Sequence, residues 1–377
     1  MAERPRIIFV VGTRPDAIKS APAILEFKKY PQVETVVVST GQHREMLAQA
    51  LDAFGITADY DLDLMQAGQS LAQLTSRALV GLDQIFQDVN PEWVLAQGDT
   101  TTTFVAGLAS FYLQIPFGHF EAGLRTPTIW NPFPEEFNRR TVGLFAQHHY
   151  APTSQAADNL RREGVPEDQI FVTGNTGIDA VLQIAKQSAT AWYPEETRDI
   201  ILLTTHRREN WGDPQTRIAR ACRRLLDELP NTVLVAAMHR NPAVRETLQR
   251  ELGDHARVRL IEPPDYPDFV KLMERAKLIL SDSGGVQEEA PAFARPVLVL
   301  RETTERPEGV DRGVAKLVGT DEELILSEAR TLLTDADAYG KMATAASPYG
   351  DGRAAERIRY LLLQDLHISS PEVPLWA

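Results

Sequence analysis

The chain has 377 residues, more than one hydrophobic core usually covers, and 43% of them are hydrophobic, so two packed domains are expected. A formal net charge of -13 opposes general affinity for nucleic acid or an anionic membrane, and no stretch approaches the roughly 18 uninterrupted apolar residues of a membrane span. Met1–Pro5 shows no secretory signal and the single cysteine, Cys222, lies in a helical pattern. A cytoplasmic chain with a structural thiol and no disulfide is expected.

In chain order, short Val, Ile and Leu runs alternate with stretches of helical period. RIIFVV precedes AIKSAPAILEFKKY, VETVVVS precedes REMLAQALDAF, and EWVLAQ precedes FVAGLASFYLQ. Strands alternating with helices predict an α/β fold with a parallel sheet covered on both faces. The alternation pauses over residues 174–199 and resumes with IILLTTH, NTVLVAAMH, RVRLIEP, KLILSDS and PVLVL. This predicts two Rossmann-like, doubly wound domains, residues 1–178 and 190–350, facing a cleft. An amphipathic C-terminal helix, about residues 353–377, is expected to pack back on one of them.

In open parallel sheets, ligands bind beyond the carboxyl ends of the strands, so polar residues there carry the most information. After the first strand, Gly12 suits a tight turn and Pro15 a first helical turn. Arg14 and Lys19 place two cations at a helix N-terminus, which suits a phosphate. The dinucleotide fingerprint G-x-G-x-x-G is absent there, so no nicotinamide cofactor is expected. Asp99 follows the third run in GDTTTT, Glu121 follows the next, and Glu135 and Glu136 precede a helix. One such acid is ordinarily a cap or an ion pair. Three from neighbouring strand ends can have their pKa values pushed apart, so that one serves as acid and another as base. No H-x-x-x-H or C-x-x-C spacing accompanies them, and no metal is expected.

In the second half, His206-Arg207 and His239-Arg240 close two strands. Ser283-Gly284-Gly285 opens a helix whose amides can close around a phosphate, and Glu289, six residues after Ser283, can accept hydrogen bonds from ribose hydroxyls.

The ordered segments GTRPDAIK, GQHREML, QGDTTTT, GHFEAGLRT, PFPEEFNR, TGNTGIDA, THRREN, HRNPAVRE, DSGGVQEEAP, RETTERPEG and SPYGDGRAAERI resemble, nearly end to end, the non-hydrolysing UDP-N-acetylglucosamine 2-epimerases of the glycosyltransferase-B fold. Asp16, Gln97 and Ser347 stand where Glu, His and Asn are common in that family, and none is expected to touch a candidate carboxylate. The resemblance implies cofactor-free interconversion of UDP-N-acetylglucosamine and UDP-N-acetylmannosamine, through loss and re-addition of UDP, supplying a cell-surface polysaccharide precursor. It implies a homodimer.

It further implies that Asp99, Glu121 and Glu135 share the acid and base work, with His206, Arg14 and Lys19 completing the catalytic set. Arg14, His206 and the amides of Ser283, Gly284 and Gly285 would hold the diphosphate, Glu289 the ribose, and PPDYPDFVKLM the uracil. A second, activating UDP-N-acetylglucosamine would meet Gln42, Glu45, Gly68, Glu135, Arg207 and His239. Glu45 and Gly68 stand where some members have Gln and Arg, which should weaken that site for a diphosphate. The rivals are a hydrolysing epimerase, a UDP-sugar glycosyltransferase of the same fold, and a non-catalytic UDP-sugar sensor.

Overall fold

A computed structural model describes residues 4–41, 44–65 and 68–376. The chain divides into two compact units, Met1–Gln183 with Tyr349–Ala377, and Ile184–Pro348.

The first unit carries β1 (Arg6–Val11), β2 (Glu34–Ser39), β3 (Tyr60–Asp61), β4 (Trp93–Gln97), β5 (Phe117–Phe120), β6 (His148–Ala151) and β7 (Ile170–Val172). They form one sheet in the order β3-β2-β1-β4-β5-β6-β7, with every pairing parallel. The second unit carries β8 (Asp199–Thr205), β9 (Thr232–Met238), β10 (Val258–Ile261), β11 (Leu278–Ser281), β12 (Val297–Val299) and β13 (Ala315–Leu317), in the order β10-β9-β8-β11-β12-β13, again all parallel. Helices cover both faces, which is why the central strands read as unbroken apolar runs. Ile8, Val10, Val94 and Ala96 lie in the core of the first unit, and Ile201, Leu203, Leu278 and Leu280 in that of the second.

Each sheet reverses its strand order once, between β1 and β4 and between β8 and β11. Such a switch point opens a crevice at the carboxyl ends of the two strands, because their following connections diverge to opposite sides. The segments after β1 and β4 hold Arg14 and Asp99, and those after β8 and β11 hold His206 and Ser283.

The threonine run after β4 is explained locally. Thr100 caps the helix Thr101–Tyr112 by accepting from the Thr103 amide. The Thr103 hydroxyl donates back to the Gln97 carbonyl at 2.6 Å, and Thr102 meets Thr40 across the sheet at 2.9 Å. The threonines close the loop, so Asp99 is not needed as its cap. Gly12 lies in the two-residue turn between β1 and the helix Arg14–Lys28, as expected. It is needed for space, since a Cβ there would lie 2.0 Å from the Thr102 hydroxyl oxygen.

The C-terminal helix Ala354–Asp365 belongs to the first unit and packs on the helix Arg14–Lys28. Its own N-cap residue, Arg353, offers no side-chain acceptor. Asp179, from the helix Thr176–Gln187, accepts instead from the amides of Ala354 at 3.2 Å and Ala355 at 2.9 Å. Replacing Asp179 by alanine should cost about 1–2 kcal/mol, the scale of a lost cap, and should raise amide exchange over residues 354–358 first. Burial raises the Asp179 carboxyl to about 7, so its contribution is lost as pH rises through that value. The melting temperature of Asp179→Asn relative to wild type should therefore improve as pH rises from about 4 to 7 and level off above that. An offset that is flat with pH would remove this account.

Candidate active site

At the end of β5 the chain turns through Glu121, whose φ of +57 lies in the left-handed region that non-glycine residues seldom enter. Its carboxylate is nearly buried and paired with Lys19 through Oε1. The same oxygen faces Asn175 Nδ2 at 3.4 Å, and Gln97 Nε2 donates to Oε2. Lys19, read from the sequence as a cation suited to a phosphate and as part of the catalytic set, is paired with this carboxylate. Gln97 was expected to touch no candidate carboxylate, and that expectation fails: as the last residue of β4, its side chain faces the neighbouring strand end.

One strand away, Asp99 is paired with Arg139, and its carbonyl accepts from Asn138 Nδ2 at 2.8 Å. Both partners lie on the helix Glu135–Val142, whose first turn contains Glu135 and Glu136 rather than following them. The two glutamates have different environments. Glu136 is fully buried and held by Arg139 at 3.2 Å and Arg140 at 2.7 Å, so it orients the arginine that meets Asp99. Glu135 is half-buried and makes no side-chain hydrogen bond or ion pair among the described residues. Arg14 is likewise half-buried and unpaired among them.

The carboxyl that burial raises at this end of the sheet is Asp16, to about 7. Hydrogen bonds from Thr13, Thr100 and the Thr13 amide oppose that shift. Asp16 thereby ties the turn bearing Arg14 to the loop bearing Asp99.

In the second unit, the end of β8 is held to the end of β11 by Asp282, which is fully buried. Its carboxylate accepts from the Thr205 hydroxyl at 2.9 Å, the His206 and Arg207 amides at 3.0 Å, and Asn210 Nδ2 at 2.9 Å. It also meets His206 Nδ1 at 3.0 Å. Burial works against the charged form, yet His206 and these donors outweigh it and hold the carboxyl down at about 2. With Nδ1 engaged, Nε2 is the imidazole nitrogen left to face a ligand. The His239 ring lies 6.0 Å away, and burial followed by the neighbouring His206 lowers its pKa.

Ser283 precedes the short helix Gly284–Glu289. A Cβ on Gly284 would come within 2.7 Å of the Arg306 guanidinium, so glycine is required for that approach. Glu289 accepts from the Tyr266 hydroxyl at 3.4 Å, which joins the ribose candidate to the PPDYPDFVKLM segment. Cys222 is buried in the apolar core and its thiol is pushed up to about 12, as expected of a structural cysteine. Among the described residues no group of three or more His, Cys, Asp or Glu side chains could hold a metal ion, and no helix is long and apolar enough to cross a membrane.

A family model described as UDP-N-acetylglucosamine 2-epimerase matches residues 25–363. The chain belongs to that family. The UDP-N-acetylglucosamine 2-epimerase of Bacillus subtilis (strain 168) is 52% identical over 355 residues, covering 94% of this chain and 93% of the relative. The crystal structure of the Neisseria meningitidis UDP-GlcNAc 2-epimerase bound to UDP-GlcNAc superposes with a TM-score of 0.85 at 45% identity, covering 95% of this chain and 100% of that one. A glycosyltransferase of kitacinnamycin, 13% identical, shares the fold with a TM-score of 0.68 over 97% of this chain and 100% of that one. The epimerase resemblance and the two-sheet, glycosyltransferase-B-like architecture are thus both found.

Within this epimerase-family chain, Lys19 and Gln97 hold Glu121 at the end of β5, and Arg139 holds Asp99 at the neighbouring strand end. His206 and Ser283 flank the switch point of the second. Of the second-ligand set, Gln42 lies outside the described residues and Glu45 falls on the helix Arg44–Asp52. Gly68 is exposed with φ +72, His239 is exposed, and Arg207 is half-buried with Nε unpartnered. Sequence reasoning missed Asp282, Asn138, Arg139 and Asn175 as supports. Their signal was present in the quoted segments DSGG, EEFNR and GNTG, but their partners are distant in sequence.

Proposed function

We propose that this chain converts UDP-N-acetylglucosamine reversibly to UDP-N-acetylmannosamine without net hydrolysis. The carbon-2 proton is not acidic, since no carbonyl adjoins that carbon in the ring. Elimination avoids the difficulty. A carboxylate takes the proton at carbon-2, the C2–H electrons form a C1–C2 double bond, and the C1–O bond breaks with its electron pair leaving on UDP. The product is 2-acetamidoglucal. UDP oxygen then re-attacks carbon-1 while an acid returns a proton to the opposite face of carbon-2.

The observation that carries this reading is the carboxylate set of the first unit in a chain of this family: Glu121 and Asp99 each paired with a cation, and Glu135 free of side-chain partners among the described residues. The paired carboxylates are fixed in place, as a base or an oxocarbenium-stabilising charge must be, and Glu135 is available for proton transfer. Arg14, His206 and the amides of Ser283, Gly284 and Gly285 serve the leaving diphosphate, and Glu289 with Tyr266 serves the ribose. Gln42, Glu45, Gly68, Glu135, Arg207 and His239 are assigned to a weak activating second ligand. A homodimer fits the exposed apolar side chains of Val80, Phe111, Tyr112 and Leu144. The product would feed a cell-surface polysaccharide.

Incubation with UDP-N-acetylglucosamine alone in deuterated water, followed by proton NMR, tests the reading. UDP-N-acetylmannosamine carrying deuterium at carbon-2 is expected, with no added nicotinamide or metal. Free N-acetylmannosamine with UDP would replace this reading by a hydrolysing epimerase, and turnover that needs a sugar acceptor would replace it by a transferase. Product that keeps its carbon-2 proton would point to internal hydride transfer or to a transferred proton shielded from exchange with solvent. With UDP-N-acetylmannosamine as sole substrate, a slow start accelerated by traces of UDP-N-acetylglucosamine is expected, and a full initial rate would remove the second site.

A further inference from the structure

We propose that Gln97 is a positioning residue for Glu121, fixing the rotation of its carboxylate; this rests on the reading of Glu121 as a catalytic group. Gln97 ends β4 and is only 3% exposed. Its carbonyl is tied to the Thr103 hydroxyl at 2.6 Å, so its backbone is anchored in the loop that also carries Asp99. From that anchor Nε2 donates to Glu121 Oε2, while Lys19 and Asn175 take Oε1.

The division between the two oxygens matters. The terminal torsion of a glutamate is broad and nearly two-fold, so a cation on one oxygen alone leaves the other free to swing. The amide of Gln97 removes that freedom. The surroundings agree with a held group: Glu121 keeps a left-handed backbone, and a Cβ on Gly98 would stand 3.6 Å from Oε2. A non-glycine residue persists at such a φ only when its neighbours over-determine it. Because a primary amide does not titrate near neutrality, the donor on Oε2 is present at every working pH. An imidazole at this position would hydrogen-bond Glu121 in a way that changes with its own protonation.

Three variants test this against Glu121→Gln as the reference. Gln97→Leu should lower kcat by about tenfold or more, the scale of a misplaced reacting group, with KM within about threefold of wild type. Gln97→His should stay active but gain a limb in its kcat profile near the imidazole range, about pH 6.5, that the wild type lacks. The double variant Gln97→Leu/Glu121→Gln should be no slower than Glu121→Gln alone, because an aligning group adds nothing once its target is gone.

A slow Glu121→Gln beside a fast Gln97→Leu would overturn the positioning role and leave the catalytic reading standing. A fast Glu121→Gln would overturn the catalytic reading itself. A double variant slower than Glu121→Gln by the full Gln97→Leu factor would mean that Gln97 acts elsewhere. Should Gln97→Leu not fold, Gln97→His decides, and a profile identical to wild type overturns the proposal.

Discussion

Glu135→Gln should turn over at least about a hundredfold more slowly than wild type while melting at the same temperature, and Asp99→Asn and Glu121→Gln should show comparable losses with some cost in stability. The three differ because their surroundings differ. Glu135 has no side-chain hydrogen bond or ion pair among the described residues, so an amide there breaks none of those, and a loss without a change in melting temperature belongs to the chemistry. Asp99 gives up part of its pairing with Arg139, which stays anchored by the buried Glu136. Glu121→Gln points an N–H2 at a site already supplied with donors by Lys19 and Gln97, and one of those contacts must open. About 1–3 kcal/mol is the expected cost of a partner left unmatched. Circular dichroism and calorimetry beside the steady-state rates separate the two effects. Near-normal turnover in all three amide variants would remove the carboxylate mechanism.

How far the sequence reaches is shown by the residues on either side of each switch point. Parallel strands buried on both faces leave an apolar run that period analysis finds directly, and β1, β2, β4, β8, β9 and β11 are all found in this way. The strand ends then locate Arg14, Asp99, Glu121, His206 and Ser283, because a loop following a strand is a local feature. Partnership is not local. Glu121 meets residues from β4, from the helix after β1 and from the start of the helix Thr176–Gln187 region, and only the strand order brings those together. The same limit explains Gln97 and Asp179. A glutamine closing a buried strand and an aspartate inside a helix carry no sequence sign of the carboxylate or the helix end that each one serves. Glu135 and Glu136 are adjacent in sequence yet separate in role, because successive helix positions point about 100° apart, one inward to two arginines and the other outward.

Asp282→Ala should be the most destabilising single substitution at the end of β8. Its carboxylate is fully buried and gathers a hydroxyl, two backbone amides, the Asn210 amide and His206 Nδ1. Alanine removes the acceptor and leaves those donors facing a void. Breaking a buried charged network in this way costs about 3–5 kcal/mol. At roughly 2–4 °C per kcal/mol, the scale for a domain of this size, the melting temperature should fall by about 6 °C or more. The pH dependence follows from the direction of the shift. The folded carboxyl is held at about 2, below its ordinary 3.8, so its stabilisation is fully present above pH 3.8 and is lost as pH falls towards 2. The gap between wild type and Asp282→Ala should therefore be constant from pH 5 to pH 8 and narrow below pH 4. Turnover should fall as well, since His206 loses the partner that fixes Nδ1 and directs Nε2 outward. Asp282→Asn keeps the shape but replaces one acceptor oxygen with a donor, and it should lie between the two in both readouts. A variant with alanine at this position that melts with wild type, or a gap that persists undiminished at pH 3, would show that the carboxylate does not hold the β8 and β11 ends together.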